Sequence, residues 1–549
     1  MSVHGKRGGW PLSVFLSSQQ EVLYLATYIP KTYSFATKGL LYLLPTLVQL
    51  KADSLAFNNT INKYKKKDKQ IALTSKLNKK MMDNIVNAIA KQYDTKNGGF
   101  ENRPKFPEAS KISLLLDIYK LNSNKKAFDM AENTLRKMAQ GGIYDQIGGG
   151  FFRYTIDAAW QNPHFEKMLY TNAELIAVYV KLYEMTGDIL YKKVVDETIS
   201  QMEKNYMKEG LYLSASDADS DGEEGGYFIY EYTEVKATLK EKGWKSKEIE
   251  DALAYLGIEE DGNIDGDFSL SHITSEHEPV RVSELKVYLE SESAKRTFPF
   301  VDKKINTAWA SMMIKALFVA SRIASVDNKY LDLAQKRLDA LFELVYKNDI
   351  LYHQVLLGKT PTQKALLEDY AFLIDALIAG YERTYNEKYL TLIQTLTQEA
   401  LSKFYKNKRW YLSNDGMEVF ADFDDRYYTS ALSQMLENLV RVSTLTDELK
   451  YSDIVKETVK NMGVILETNP TLASKLVHTY LRLEMGDVII HAKKDKLLSV
   501  QDTLDKVTYP FILSQTQESD EYLACKMTMC FAHDKNITKL IEQIKKVIL

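Results

Sequence analysis

Cysteine is nearly absent: the 549 residues hold two, Cys525 and Cys530. Two cysteines cannot build a disulfide framework, and their scarcity fits a reducing, cytoplasmic compartment. They have four residues between them (CKMTMC), which is neither a CxxC redox pair nor a zinc pair. On one extended strand they would point to opposite faces, so buried inert thiols are expected. Long apolar runs are also missing. None reaches the ~18 residues of a membrane helix, and no membrane partner is expected. Neither sign of charge dominates: 71 Lys and Arg face 74 Asp and Glu, a net −3. That excludes a bulk nucleic-acid binder and a polybasic membrane protein. The sequence lacks GxGxxG, GxxxxGK[ST], HExxH and GxSxG, so no cofactor or metal is expected and nucleotide or zincin chemistry has no foothold.

What is present is globular composition, 45% apolar and 26% charged, with 35 tyrosines. Lys6 and Arg7 before WPLSVFLSS look faintly like a signal peptide, but the apolar stretch is short and holds Pro11. PLSVFL and VLYLATYI around the SSQQE turn read better as a β-hairpin, followed by a helical stretch from Ser34 to about Leu50. From about residue 76 to 486 the chain reads as roughly a dozen helices with apolar residues three and four apart, such as KKAFDMAENTLRKMA and EDYAFLIDALIAGYERT. They come in hairpins split by EMTGDILY, ERTYNEKY and TLTDELKY. The spacing of the pairs is irregular, unlike an open repeat array. A mainly α fold follows: a closed (α/α)6 ring of about six hairpins, with long loops building a site at one rim. Those loops are 97–108, 141–167, 211–234 and a 257–300 insert. Residues 487–549 alternate strand-like and helical patterns and read as a small α/β tail.

Chemistry-bearing residues concentrate in the loops. GGIYDQIGGGFFRYTIDAAWQNPHFEKMLY gathers Asp145, Arg153, Asp157, Trp160, His164, Glu166 and Tyr170. Glycines let a ligand approach, and a His with a carboxylate near a helix start can do acid–base work. The bland alternative is that His164 and Glu166 cap and brace the loop. In SASDADSDGEEGG, Asp217, Asp219, Asp221 and Gly222 match the opening of a calcium loop, but the twelfth position is Phe228 instead of Glu. On an extended segment Asp217 and Asp219 share a face and could form an acid/base pair; a solvated turn is the alternative. Glu368 and Asp369 open the helix LLEDYAFLIDAL, where acids complement the dipole unless one faces the ring's centre.

GGWPLSVFL…YLATYIPK, GGFENRPKFP, the 141–175 block, SASDADSDGEEGGYFIY and LEDYAFLIDAL together resemble the spermatogenesis-associated protein 20-like family over nearly the whole chain. The resemblance implies a thioredoxin-like domain joined to an (α/α)6 barrel similar to N-acylglucosamine 2-epimerases and six-hairpin glycosidases. It implies that a CHWCH-like motif precedes GGWP in the family. This chain starts just before GGWP, so residues 1–70 are expected to be the back half of a thioredoxin fold, with Pro11 in the cis-proline place and no dithiol chemistry. Residues 76–486 would be the barrel. Trp309-Ala310-Ser311 stands where the family often shows a WNG-like turn, and RYYTSALSQ (426–434) replaces a Gly/Ser/Asn-rich stretch.

Two functions follow. In one, the barrel processes a saccharide or similar polar molecule, as an epimerase or glycosidase would. His164, Glu166, Asp217, Asp219 and Glu368 would be catalytic. Asp145, Arg153, Trp160, Tyr170, Asp369 and Tyr370 would bind substrate, the aromatics as stacking surfaces and Arg153 as a clamp. In the other, the barrel is a non-catalytic scaffold whose redox partner is lost or lies elsewhere. Convergence of these side chains in one cavity favours the first; burial in loop-bracing pairs favours the second. The sequence leaves the substrate and the oligomeric state open.

Overall fold

The computed structural model describes residues 12–33, 38–64, 79–100, 104–264, 266–323, 328–416, 419–462, 466, 469–526 and 529–548. The chain divides into two compact units, residues 1–71 and 72–549.

In the first unit, strands Ser13–Leu16 and Val22–Ala26 form the antiparallel hairpin read from the sequence, with Ser13 opposite Ala26. Helices α1 (Leu40–Ala52) and α2 (Ser54–Tyr64) follow. Pro11 and residues 34–37 lie outside the described residues. Among the described residues no single helix is long and apolar enough to cross a membrane; only the bent α1–α2 pair passes by length and composition.

The second unit is built on α3 (Lys79–Ala90), α4 (Ala109–Asn122), α5 (Lys125–Gln140), α6 (Leu169–Thr186) and α7 (Ile189–Asn205). An insert carries α8 (Tyr232–Glu241), α9 (Ser246–Tyr255) and α10 (Val282–Ser293). The series resumes with α11 (Thr307–Ala320), α12 (Lys329–Val345), α13 (Leu367–Thr384), α14 (Glu387–Phe404), α15 (Ala431–Thr446), α16 (Leu449–Asn461) and α17 (Ser474–Met485). Helix α4 packs on α6, α6 on α11, α11 on α13, α13 on α15, α15 on α17, and α17 back on α4, closing an inner ring. Helices α5, α7, α12, α14 and α16 back their inner partners, and α3 packs on α4 and α5. The sequence explains the two layers. In α5 the buried Ala127, Met130, Ala131, Thr134, Leu135 and Met138 make one stripe, as an outer helix needs. Helix α13 is buried on every side from Asp369 to Tyr381, as an inner helix must be.

Four inner helices, α4, α6, α13 and α15, hand over to outer ones through two-residue turns. A residue in the left-handed region (Ser123, Gly187, Tyr385, Asp447) ends the first helix. In three of these turns the next residue caps the second, with Asn124, Asp188 and Asn386 accepting from backbone N–H groups. Outer helices return to inner ones through the long segments 91–108, 141–168, 206–306, 346–366, 405–430 and 462–473. Every long loop therefore stands at the N-terminal rim of the inner helices. The 141–167 and 211–234 segments touch there: the Leu169 N–H donates to Ser214 O and the Ser216 N–H to Lys167 O, each at 3.0 Å.

Two sequence readings need correction. The 257–300 insert is not plain loop: it carries α10, which packs with α8 and α9 just before it. The three helices bury their own core of Trp244, Ile249, Leu253, Leu285 and Leu289. Cys525 and Cys530 are not free thiols but a disulfide. They lie on adjacent antiparallel strands, directly opposite each other, so the one-strand alternation does not apply.

The tail is a four-stranded sheet in the order Ile512–Thr516, Val488–Ala492, Tyr522–Lys526, Met529–Asp534, with the first pair parallel and the rest antiparallel. It covers the short-turn end of the ring: Arg383 donates to Asp505 at 2.7 Å, and Gln515 donates to Leu445 O at 2.8 Å.

Candidate functional site

The 141–167 loop is braced from within. Asp145 is buried; its Oδ1 accepts from the Ile147 and Gly148 N–H groups and its Oδ2 from Lys167 Nζ at 2.7 Å. Gly149 needs its φ of +80°, and a Cβ there would meet the Glu197 carbonyl at 2.7 Å. Trp160 is fully buried, donates to Asn97 O at 3.0 Å and lies under the Lys105 ammonium. Asp145 and Trp160 therefore hold the loop and offer a ligand no surface, unlike the sequence expectation, because glycine-rich backbone needs buried anchors to keep one shape.

That frame presents three groups at the rim. Strands Tyr154–Thr155 and Pro163–His164 pair, so His164 sits on a short strand rather than in the first turn of α6. Arg153 donates to Glu166 Oε2 at 3.0 Å, and His164 Nε2 lies 3.4 Å from the same oxygen. The His164 hydrogen bond and the Arg153 guanidinium hold the Glu166 carboxyl below its usual range. Glu166 and Glu224 in turn raise the imidazole of His164.

The acidic segment arrives differently from expectation. Asp219–Ser220 pairs with Glu223–Glu224 across a tight turn at Asp221 and Gly222, both with positive φ. This is hairpin-turn chemistry, which explains the Asp-Gly without a calcium ion. Asp217 and Asp219 are exposed. Glu224, directly across from Asp219, is the carboxylate that reaches His164, Oε1 to Nδ1 at 2.7 Å. The sequence reading missed Glu224; the cross-strand pairing implied by Asp-Gly was the available signal.

Facing these groups is the start of α13. Asp369 is fully buried and accepts from the Leu366 N–H at 2.8 Å and from His353 Nδ1 at 2.9 Å. Burial raises its carboxyl. Glu368 accepts from the Tyr428 hydroxyl at 3.2 Å and lies 3.8 Å from His353 Nδ1. Burial and the neighbouring Asp369 charge push Glu368 up to about 7. Burial works against a charged His353, but the Asp369 hydrogen bond and charge raise it overall. Tyr170 joins the two sides: it faces Arg153, stacks at 4.7 Å on Tyr428 and meets Trp309 edge-on at 4.9 Å. Tyr370, two residues past Glu368, points to the opposite side of its helix and bonds Glu399 and Lys403 at 2.9 and 2.7 Å, so it is no stacking surface here. Among the described residues, His353, Glu368 and Asp369 alone bring three such ligand atoms within 4.8 Å of one another, the one place a cation could be held.

Below the rim the axis is charged, which the sequence reading did not foresee. His478 sits between Asp117 Oδ2 at 2.8 Å and Glu437 Oε2 at 2.9 Å. Asp117 also takes Lys181 at 2.7 Å, and Asp375 takes Lys315 and Arg441, both at 2.6 Å. Near the rim, burial raises Glu174, and burial with the Glu174 charge pushes Asp425 up to about 7. The signal was a lone carboxylate within apolar helix, as in LLLDIY, FLIDAL and QMLENL. Such a helix has no watery face to offer it.

The family described as "Protein of unknown function, DUF255", a thioredoxin-like family, matches residues 1–72. An uncharacterized protein of Caenorhabditis elegans (B0495.5) is 28% identical over 92% of this chain and 76% of its own length. Spermatogenesis-associated protein 20 of Mus musculus and of Homo sapiens are each 25% identical over 81% of the chain. The chain spans 64% of the length of these mammalian relatives. Among solved structures, cellobiose 2-epimerase from Spirochaeta thermophila aligns with 80% of this chain and 98% of its own at 13% identity and a TM-score of 0.48. A family 76 glycoside hydrolase aligns with 74% and 77% at 10% identity and a TM-score of 0.44. The chain is thus similar to spermatogenesis-associated protein 20 over 81% of its length and matches the DUF255 family at its start.

Proposed function

We propose that the long-loop rim binds a saccharide or similar polyhydroxylated molecule and performs acid–base chemistry on it. One observation carries the reading: two carboxyls on the same rim are driven apart, Glu368 up to about 7 and Glu166 below its usual range. Environments that separate two carboxyls assign an acid and a base at neutral pH. Glu368 is then the proton donor, with His353 and Asp369 behind it. Glu166, held ionised by Arg153 and His164, is the base. Tyr170, Tyr428 and Trp309 supply aromatic surface. A panel of mono- and disaccharides assayed by calorimetry and by product analysis tests this. Saturable binding lost in Glu368→Gln and Tyr428→Phe is expected; a panel without binding sinks it. A cytoplasmic location belongs to the same proposal, and cell fractionation with thiol trapping of Cys525 and Cys530 tests it.

A second reading, a non-catalytic scaffold, is favoured by the bracing of Asp145, Trp160 and Tyr370. It expects these contacts to support stability and the rim substitutions to change no ligand.

A further inference from the structure

The larger axial cavity lies at the opposite end from the rim. It measures about 300 Å³ and is lined by the inner helices, mainly from their middles to their last turns, and by the tail segment 501–514. That volume is at the lower end of ligand cavities, ~300–1,000 Å³. Basic side chains from all six inner helices line it, Lys120, Lys181, Lys315, Arg383, Arg441 and Lys475 with Arg482, together with Arg322 just past the end of α11. The inner helices end here, and helix C-termini favour cations, which accounts for basic residues as such. It does not account for donors left without an acceptor.

Two such donors line the cavity, with a third cation beside them. Arg441 is 7% exposed; its terminal nitrogens bind Asp375 and Glu382, but its Nε has no hydrogen-bond partner. Arg383 gives one terminal nitrogen to Asp505, and its Nε is likewise unpartnered. Lys120 feels the charges of Asp117 and Glu184, yet no ion pair holds its ammonium among the described residues. Against these stand two leftover acceptors, Asp117 Oδ1 and Glu184 Oε1, the second lying 2.8 Å from the Arg322 guanidinium. A buried donor without an acceptor costs roughly 1–3 kcal/mol, so the Arg383 and Arg441 Nε atoms, with the unpaired Lys120 ammonium on the same space, mark a missing acceptor-rich group. The tail supplies a sample of that chemistry: Asp505 places a carboxylate 2.7 Å from Arg383 and 3.4 Å from Arg322.

We propose that this tail-roofed cavity binds a small molecule bearing an oxyanion, a phosphate or carboxylate on a compact polar body, held by Lys120, Arg383 and Arg441. The site is independent of the rim reading.

Calorimetry on the full chain at fixed ionic strength tests it, with glucose 6-phosphate, gluconate, inorganic phosphate and glucose as probes. At least one oxyanion should bind saturably, and its Kd should weaken at least tenfold in Lys120→Met and in Arg383→Gln. Binding of glucose 6-phosphate against gluconate distinguishes the phosphate from the carboxylate. Glucose should not bind at this site, and Glu368→Gln should leave the oxyanion Kd unchanged. Three results overturn the proposal: no saturable oxyanion binding, unchanged affinity in Lys120→Met, or equal competition by glucose. A Lys120→Met chain that fails to fold also overturns it, because an ammonium without an ion pair should be dispensable for folding.

Discussion

The two ends of the barrel are made by the same inner helices and handle charge in opposite ways. At the rim, Glu368, His353, His164 and Glu166 are partly open to solvent, and their neighbours push carboxyls both up and down. Along the axis, Asp117, Glu437 and Asp375 are buried and matched by Lys181, His478, Lys475, Lys315 and Arg441. The matched network keeps its carboxyls low, as with Glu437. The difference teaches that a carboxylate at the rim has a titration to spend on chemistry, whereas one on the axis is committed to holding the ring. Connectivity sets this division, because long loops crowd only the N-terminal end.

The largest expected effect breaks the axis. Asp117→Ala leaves Lys181 and His478 facing a void and should cost about 3–5 kcal/mol, as removal of one partner of a buried pair does. Urea denaturation would show it. A loss under 1 kcal/mol would make the axis no more committed than the rim.

Next is the pH dependence of Glu368. Its folded value of about 7 exceeds the ordinary 4.5. Between those values the unfolded chain loses the proton first, so stability falls as pH rises through the window. The loss is on the order of 3 kcal/mol by linkage. Glu368→Gln should lessen that fall, part of which Asp425 also carries, and be the more stable protein above pH 7 in parallel melts. The same slope in both proteins would refute the raised value.

Gly149→Ala should cost about 1–3 kcal/mol, since it imposes a side chain at φ +80° against the Glu197 carbonyl. Thermal unfolding checks it, and a neutral result would mean the loop is not held by its glycines. The smallest effect is at Asp219. It is exposed, and Asp219→Asn should stay within about 0.5 kcal/mol. If it instead abolishes saccharide turnover at unchanged stability, the acid/base assignment moves from Glu368 to the acidic hairpin.

Much of the fold was legible. The 3.6-residue stripes of α5 and the turn residues at Gly187-Asp188 and Tyr385-Asn386 encode helices and hairpins locally. The rim was partly legible, because Arg153, His164, Glu166, Tyr170 and Glu368 stood out as polar or aromatic groups among glycines or at a helix start. His353 and Tyr428 were not, since each is unremarkable among its sequence neighbours, and Glu224 was signalled only through the Asp-Gly turn that pairs it with Asp219. They matter only because a hairpin, a strand and a distant loop carry them to the same rim.

By itself the sequence determined the helices, their pairing into hairpins and which loops would be long, because periodicity, caps and turn residues act over a few residues. Tertiary structure alone decided which charges are partners. Asp117 and His478 are 361 residues apart in the chain and 2.8 Å apart in space. Only ring closure brings them together. It removes the water that would otherwise solvate each charge, and so turns isolated polar residues of apolar helices into one network.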